Sequence, residues 1–433
     1  MVLIVDTQKT DPRAYLESLI LHGIKLGLQN INALMDASGQ PHKARPVIHV
    51  AGTNGKGSVL AFLSSILQCA GYRVGRFTSP HLLDVTERFL INGVPMNEEA
   101  LCENVAWFKE VAATIGQVPT FFEMNTAIAF RWFDQQAVDV SLIEVGMGGR
   151  FDSTNIVSPL ASAITNIDFD HMQFLGDSLA AIAYEKAGIL KANVPAVIGV
   201  TDPSALKAIE KQGQVVGAPL RLLDKEYHVC AGGSPWNPTL DYRSGETSFQ
   251  NLSLGLAGRH QPHNAAIAVE LALQMQEQFP QICEAAIREG LRIVRWPGRL
   301  EQVYDNPPII MDAAHNVAGC RAAMDALGKK CVMIFSVSAD KEASAMAKIL
   351  SQWADPLIIT AYGGGRSLPL ADLSGCLGDL STRPCSSMSE ALDEGLRLAS
   401  QEKPLLIVGS IYGAGEARRL LMERFEVAPV RFA

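Results

Sequence analysis

Apolar, β-branched runs alternate along this chain with longer segments of helical period. PVIHV (46–50) precedes GSVLAFLSSILQCAG, RVGRFT (73–78) and VDVSLIEVG (138–146) follow, PLASAITNI (159–167) leads into SLAAIAYEKAGILK, and PAVIGV (195–200) comes next. Apolar runs without polar alternation are strands covered on both faces, and their repetition with helices makes βαβ units around a largely parallel sheet. Residues 213–257 break the pattern. Gly, Pro, Asn and Ser interrupt short polar strands there, such as LDYRSGETSFQNLSL, which predicts a small antiparallel appendage. Helical period returns over 262–278 and 281–294, and Trp296-Pro297-Gly298-Arg299 then has the composition of a hinge. Beyond it PPIIMDA, KKCVMIFSV, ADPLIITA and KPLLIVGS each lead into a helical segment. The expected fold class is α/β. Residues 1–297 form a mostly parallel sheet with helices on both faces and the appendage, and residues 298–433 a smaller α/β domain.

A length of 433 residues suits two domains better than one. With 48% hydrophobic and 19% charged residues the chain has the balance of a folded protein. Its net charge of −8 and the lack of a Lys/Arg run argue against nucleic acid or an anionic membrane as partner. The eight cysteines are scattered without CxxC spacing, so they read as reduced core thiols and suggest neither a disulfide framework nor a zinc site. MVLIVDTQKTDPRAYLESLI has an early Asp and no basic region ahead of an apolar one, and no run approaches the roughly 18 apolar residues of a membrane span. A cytoplasmic location is the expectation.

Chemistry enters at the junction after PVIHV. Thr53, Asn54, Gly55, Lys56, Gly57 and Ser58 lie in AGTNGKGS, between that strand and the helical run SVLAFLSSILQCA. A glycine-rich turn there aims backbone N–H groups and the positive end of a helix dipole at one point, which suits a polyphosphate. The N-terminal domain is thus of P-loop type, with Lys56 for the terminal phosphates and Ser58 for Mg²⁺. Gly57 departs from the GxxxxGK[ST] pattern by separating the two, and a plain turn with an exposed lysine is the simpler alternative. Ser79, in TSPHL, offers a hydroxyl to a hard cation or merely forms a turn. Glu144, in LIEVGMGGR, ends an apolar strand where such sheets carry a metal-positioning acid. His171, in TNIDFDH, reads as a further strand-end group, although a lone histidine is more often structural. Lys186, in YEKAGI, stands in an otherwise apolar helix, where a single lysine is usually solvated.

AGTNGKGS, TSPHL, IEVGMGGRFDSTN, TNIDFDH, EKAGI, HQPHNA, PGR and DAAHN occur in one order across most of the chain. That order closely resembles the Mur ligase superfamily, and within it the folylpolyglutamate synthase and dihydrofolate synthase branch, whose loop has the same lysine, glycine, serine spacing. The resemblance implies that ATP phosphorylates a substrate carboxylate and that an amine then attacks the acyl phosphate to give an amide. It implies two Mg²⁺ ions: Ser79 and Glu144 hold one and His171 helps hold a second, while Ser58 and its neighbours wrap the phosphates. Lys186 matches a lysine that CO₂ carbamylates, which turns a cation into an anion beside the metal. Asn264, Arg299 and Asn316 match nucleotide contacts, and Asp312 the carboxylate on the ribose, in a Rossmann-like second domain. His315 and Asn316 belong to DAAHN, which has Ala313 where the family more often has glycine; taken alone, DAAHN could be a helix start capped by Asn316. Closure of this loop over the phosphates would keep water from the acyl phosphate.

For the acceptor, Lys25-Leu26-Gly27-Leu28, Thr120-Phe121-Phe122-Glu123 and Phe151-Asp152-Ser153 resemble the branch's pterin contacts. The aromatic pair would stack on a flat ring and Asp152 would face ring nitrogens. FFEMNTAIAFRWF also has helical spacing, which would put the pair in the core. Arg88, His315 and Ser410 match contacts to L-glutamate, an Arg fork being suited to a carboxylate. In FSVSADK, Asp340 and Lys341 match the branch, with serines where it commonly has other residues. The implied enzyme is a monomer that adds L-glutamate to dihydropteroate, a reduced folate, or both. Lys56, Lys186 and His315 are its candidate catalytic residues, His315 being the guess for the amine's proton. One rival is another superfamily ligase, such as a peptidoglycan-precursor enzyme, which would carry a UDP-sugar domain ahead of the loop. The other is a nucleotide-dependent switch, which would need neither Lys186 nor His171 nor DAAHN.

Overall fold

The apolar runs of the first half form one sheet. In the computed structural model, which describes residues 11–23, 25, 27–425, 427 and 430–432, eight strands build it. They are β1 Val47–Ala51, β2 Val74–Phe77, β3 Phe89–Ile91, β4 Val94–Pro95, β5 Val140–Glu144, β6 Ala161–Ile164, β7 Ala196–Ile198 and β8 Leu220–Leu222. Their order is β4-β3-β2-β5-β1-β6-β7-β8. Only the β2–β3 and β3–β4 pairings are antiparallel.

Every residue of β1, β2, β5, β6 and β7 is buried, which explains the unbroken apolar runs. Successive side chains point to opposite faces. Ile48 and Val50 meet Phe62 and Ile66 of helix Lys56–Cys69 and Ile267 of helix Gln261–Gln274. Val47 faces the other way, toward Phe108 and Phe133 of helices Glu98–Thr114 and Phe121–Gln135. β1 is central, so its carboxyl end opens where strands added on either side diverge, the usual crevice of such sheets.

The antiparallel appendage consists of β9 Tyr227–Ser234, β10 Asn237–Ser244 and β11 Thr247–Ser253, shorter than residues 213–257. Pro203 at the first helical position and the Asp202 side chain, which accepts from Ser204 and Ala205 N–H, start a helix that runs to Val216. β8 then returns to the main sheet. A second sheet contains β12 Glu301–Asp305, β13 Pro308–Met311, β14 Cys331–Phe335, β15 Ala354–Ile359, β16 Thr382–Pro384 and β17 Leu405–Val408, in the order β12-β13-β17-β14-β15-β16. The four anticipated strands are its interior. β12 and β16 are partly exposed edges and have no apolar signature.

All eight cysteines are free, but only Cys320, Cys331 and Cys385 are buried. Cys230, Cys283 and Cys376 are exposed, which corrects the expectation of core thiols. They lie on the appendage's β9, at a helix cap and on helix Leu370–Leu377. Among the described residues no helix is long and apolar enough to cross a membrane.

Candidate active site between the two sheets

β1 ends at Ala51 and the chain turns at once into helix Lys56–Cys69. Two backbone positions there require glycine. A Cβ on Gly52 (φ +153°) would fall 1.9 Å from Thr165 Oγ1, and one on Gly55 (φ +85°) 2.5 Å from Asn264 Oδ1. The loop is therefore clamped between the exit of β6 and helix Gln261–Gln274. Asn54 N–H donates to Asn166 Oδ1 at 2.7 Å, Thr53 N–H to Asn166 O at 3.0 Å, and Thr165 Oγ1 to Asn54 O at 2.5 Å. Thr165 and Asn166 thus shape the loop, a role the sequence reading missed. Two polar residues closing an apolar strand were the available signal. Gly57 has a different reason to be small: a Cβ there would lie 2.9 Å from Trp296 Cζ2.

Lys56 Nζ donates to Gly52 O (3.1 Å) and Thr53 O (3.2 Å) and lies 3.9 Å from Glu144 Oε1. Glu144 ends β5 and is buried. Burial pushes its carboxyl up, opposed by Lys56 and by Ser79 N–H, 3.3 Å from Oε2. Among the described residues no three His, Cys, Asp or Glu groups stand together as a metal cluster. Glu144, Ser79 and Ser58 line one cleft and would offer it oxygen donors. That fits Mg²⁺, which takes one or two carboxylates and fills its sphere with water and phosphate oxygens. Lys186 closes helix Leu179–Lys186, only 4% exposed, and donates to Gly52 O at 2.9 Å. Burial, then repulsion from Lys56, lowers its ammonium to about 7.

β6 stops at Ile164, so His171 does not end a strand as the pattern suggested. Residues 165–170 form a loop fastened to the phosphate loop, and His171 (φ +51°) opens the short helix Met172–Leu175. Its neighbour Asp170 is the better-connected group. Asp170 Oδ1 accepts from Lys341 Nζ at 2.6 Å, and its Oδ2 lies 3.8 Å from His315 Nε2 and 3.9 Å from His171 Nε2. Burial alone would raise this carboxyl; His171, Lys341 and His315 outweigh it and bring it to about 2.

The second sheet supplies the opposite wall. Asp312 follows β13, with Oδ2 accepting from Leu300 N–H (2.9 Å) and Oδ1 from Ala314 N–H (2.8 Å). Burial raises its carboxyl. His315 Nδ1 donates to Ala313 O at 3.0 Å, and burial lowers the ring to about 4. Asn316 Oδ1 accepts from Gly319 N–H at 2.8 Å and caps helix Val317–Leu327. Its Nδ2 donates to Asn54 Oδ1 at 3.0 Å, across the two domains. One cleft is lined by the loop from Gly52 to Ser58 and by Ser79, Glu144, His171, Lys186, Asn264, Arg299, Asp312 and His315.

The residues matched to a pterin lie outside that lining. Leu26 falls outside the described residues. Lys25 Nζ donates to Val118 O at 3.1 Å, Gly27 has φ +129°, and Leu28 packs on the core beside helix Gln29–Ala37. Thr120 and Glu123 form a reciprocal capping box at the start of helix Phe121–Gln135. Phe122 lies under Gly146 and 5.9 Å from the Phe77 ring, whereas Phe121 lies 5.1 Å from the Arg88 guanidinium. Phe151 is half exposed and Ser153 buried, and Asp152 accepts from Met147 and Thr154 N–H. Of the glutamate set, Arg88 is buried and its Nε donates to His81 Nδ1 at 3.1 Å, while Ser410 Oγ caps helix Ile411–Arg424.

Residues 96–272 match the Mur ligase middle domain, and residues 298–411 the Mur ligase glutamate ligase domain. The dihydrofolate synthase/folylpolyglutamate synthase of Bacillus subtilis is 35% identical, over 96% of this chain and 99% of its own. Among solved structures, Escherichia coli FolC in complex with DHPP and ADP is similar, with a TM-score of 0.84 and 30% identity over 96% of this chain and 98% of that one. So is a bifunctional folylpolyglutamate synthase/dihydrofolate synthase with Mn, AMPPNP and L-glutamate bound, with a TM-score of 0.84 and 30% identity over 95% and 98%.

Proposed function

The chain belongs to the dihydrofolate synthase/folylpolyglutamate synthase family of ATP-dependent glutamate ligases, and from that premise we propose that it joins L-glutamate to dihydropteroate, a reduced folate, or both. The observation that carries the proposal is the Asn316 to Asn54 hydrogen bond of 3.0 Å, which holds the DAAHN loop of one domain against the phosphate loop of the other. A cleft so formed can bind ATP against the first domain and screen its γ-phosphate with the second.

The acceptor carboxylate is already ionised and attacks the γ-phosphorus; ADP leaves, and an acyl phosphate remains. The deprotonated glutamate amine then attacks the acyl carbon, phosphate leaves, and an amide is formed. Bringing two anions together needs concentrated positive charge, which Lys56 and the N-terminal end of helix Lys56–Cys69 supply from this chain. Glu144, Ser79 and Ser58 would hold a divalent cation whose charge offsets that of the phosphates. His171 and a carbamate on Lys186 would hold a second. An ammonium lowered to about 7 leaves much of the amine neutral at physiological pH. Such an amine can attack CO₂, forming the N–C bond and releasing a proton. Asn264 and Arg299 would contact the nucleotide, and Asp312 the ribose.

At neutral pH His315 is uncharged, so its Nε2 can accept a hydrogen bond from the incoming amine without repelling its cationic form. Arg88 and Ser410 would complete the glutamate site. The segments at 25–28, 120–123 and 151–153 would hold the pterin, with Phe121 the stacking face. The proposal also takes residue 298, in the Pro-Gly hinge, as the domain boundary and the enzyme as cytoplasmic, and it takes the monomeric state from the family resemblance.

The test is a coupled ADP-release assay with Mg²⁺, ATP and L-glutamate, run separately on dihydropteroate and a reduced folate, with products weighed. One glutamyl mass on both acceptors establishes a bifunctional enzyme, and on one alone names the single activity. No gain on either, from protein that binds ATP, overturns the acceptor assignment.

A further inference from the structure

The phosphate loop carries one residue more than its lysine and serine need, and the structure shows what stands beside it. Trp296, on the linker between the sheets, has Cζ2, Cε2 and Nε1 at 2.9, 3.1 and 3.1 Å from where a Gly57 Cβ would be. The Arg76 guanidinium of β2 sits 4.8 Å from the centre of the same ring, and the Phe432 ring centroid is 5.5 Å from it. An indole held by Arg76 and Phe432 cannot swing aside as a flexible side chain would. Arg76 is three residues before Ser79, and Trp296 three before Arg299, both of which line the cleft. The linker is fixed to the second domain in turn: Ala313 N–H donates to Gly298 O at 2.8 Å, and Gly298 N–H donates at 2.9 Å to Glu301 Oε2, at the start of β12.

We propose that Trp296 is a positioning residue for the nucleotide, its ring holding the helical turn at Gly57 and Ser58 in register with Ser79 and Arg299. Gly57 is the space this ring occupies. The proposal rests on the reading of the loop as an ATP site, and it adds that the linker sets the loop's geometry. A shift of the second domain then reaches the phosphate cradle through one ring.

The experiment is a double-mutant cycle in the full chain. Wild type, Gly57→Ala, Trp296→Phe and the double variant are compared for Mg·ADP affinity by calorimetry, for KM of ATP against kcat, and for thermal midpoint. Gly57→Ala is expected to weaken Mg·ADP binding roughly tenfold, and Trp296→Phe only about twofold. Phenylalanine lacks the outer indole atoms that meet residue 57. The double variant should therefore bind Mg·ADP better than Gly57→Ala alone, with the change in KM of ATP and not in kcat. Losses that multiply in the double variant would overturn the proposal. So would a Gly57→Ala protein that melts earlier yet binds Mg·ADP as wild type does. Wild-type protein that binds no Mg·ADP would instead overturn the ATP-site reading itself.

Discussion

Lys341 Nζ lies 2.6 Å from Asp170 Oδ1, and this ion pair ties the loop after β6 in one sheet to the segment after β14 in the other. Each side chain is about a tenth exposed, 10% for Lys341 and 11% for Asp170. Removing Asp170 leaves Lys341 only the half-exposed Asp340, at 3.7 Å, so the cost falls below the roughly 3–5 kcal/mol of a fully buried pair. Asp170→Asn should therefore lower kcat/KM about a hundredfold or more while leaving Mg·ADP affinity within a few fold, since the phosphate loop keeps its own contacts. The sign with pH follows from the depressed carboxyl. It is about 2 when folded against an unfolded 3.8, so its stabilisation is present above 3.8 and is lost as pH falls through 2. Denaturation followed from pH 5 to 2 should show that loss in wild type and not in the variant.

Lys186 carries a penalty where Asp170 carries a gain, although stability again rises with pH. Its ammonium is lowered from 10.5 to about 7, so the unfolded chain binds a proton more tightly. The penalty for burying the cation is full below pH 7 and is relieved as pH rises toward 10.5. In CO₂-free buffer, wild type should gain stability relative to Lys186→Met between pH 7 and 10. A flat difference would mean that the amine is not held as a buried cation. With ¹³C-bicarbonate, wild type should show a carbamate carbonyl resonance that Lys186→Met lacks. Ligase activity of that variant should fall at least about a hundredfold.

The interior of both sheets was legible because a strand buried on both faces is a continuous apolar run. β12 and β16 were not, being partly exposed and without an apolar run. The phosphate loop was legible because its residues are contiguous. Asp170 and Asn166 escaped because their partners lie far along the chain, 171 residues away for Lys341 and 112 for Asn54. Spacing carries no record of such pairs. His171 stands out in TNIDFDH as a candidate metal holder, while its neighbour Asp170 pairs with Lys341 across the sheets. Motif and helical spacing left the 120–123 segment open between a substrate surface and the core, and its Thr120 and Glu123 have a local duty as a capping box.

The same segment gives a separable pair of outcomes. Phe122 is wedged beneath Gly146 and beside Phe77, so Phe122→Ala should lower stability by roughly 2–3 kcal/mol, less than the 3–5 typical of fully buried rings. Phe121 faces Arg88 instead. Phe121→Ala should raise KM for the pterin acceptor about tenfold with little change in denaturation midpoint. Equal destabilisation by both substitutions, with KM unmoved, would assign the whole aromatic pair to the core.

Asn316 does two things with two atoms, and chemistry can separate them. Oδ1 accepts from Gly319 N–H and caps a helix; Nδ2 donates to Asn54 Oδ1 across the domains. Asn316→Asp keeps the capping oxygen, and its charge favours the helix N-terminus, so the denaturation midpoint should hold or rise. The same change removes the donor to Asn54 and sets a carboxylate facing the phosphate loop, which disfavours a triphosphate. KM for ATP should rise roughly ten- to hundredfold. Asn316→Ala should lose both functions, with a drop in stability of about 1 kcal/mol. If Asn316→Asp binds ATP as wild type does, the interdomain hydrogen bond has no part in holding the nucleotide, and other contacts between the two sheets, among them the Asp170–Lys341 pair and Leu82 packed in the second sheet's core, suffice to hold the arrangement.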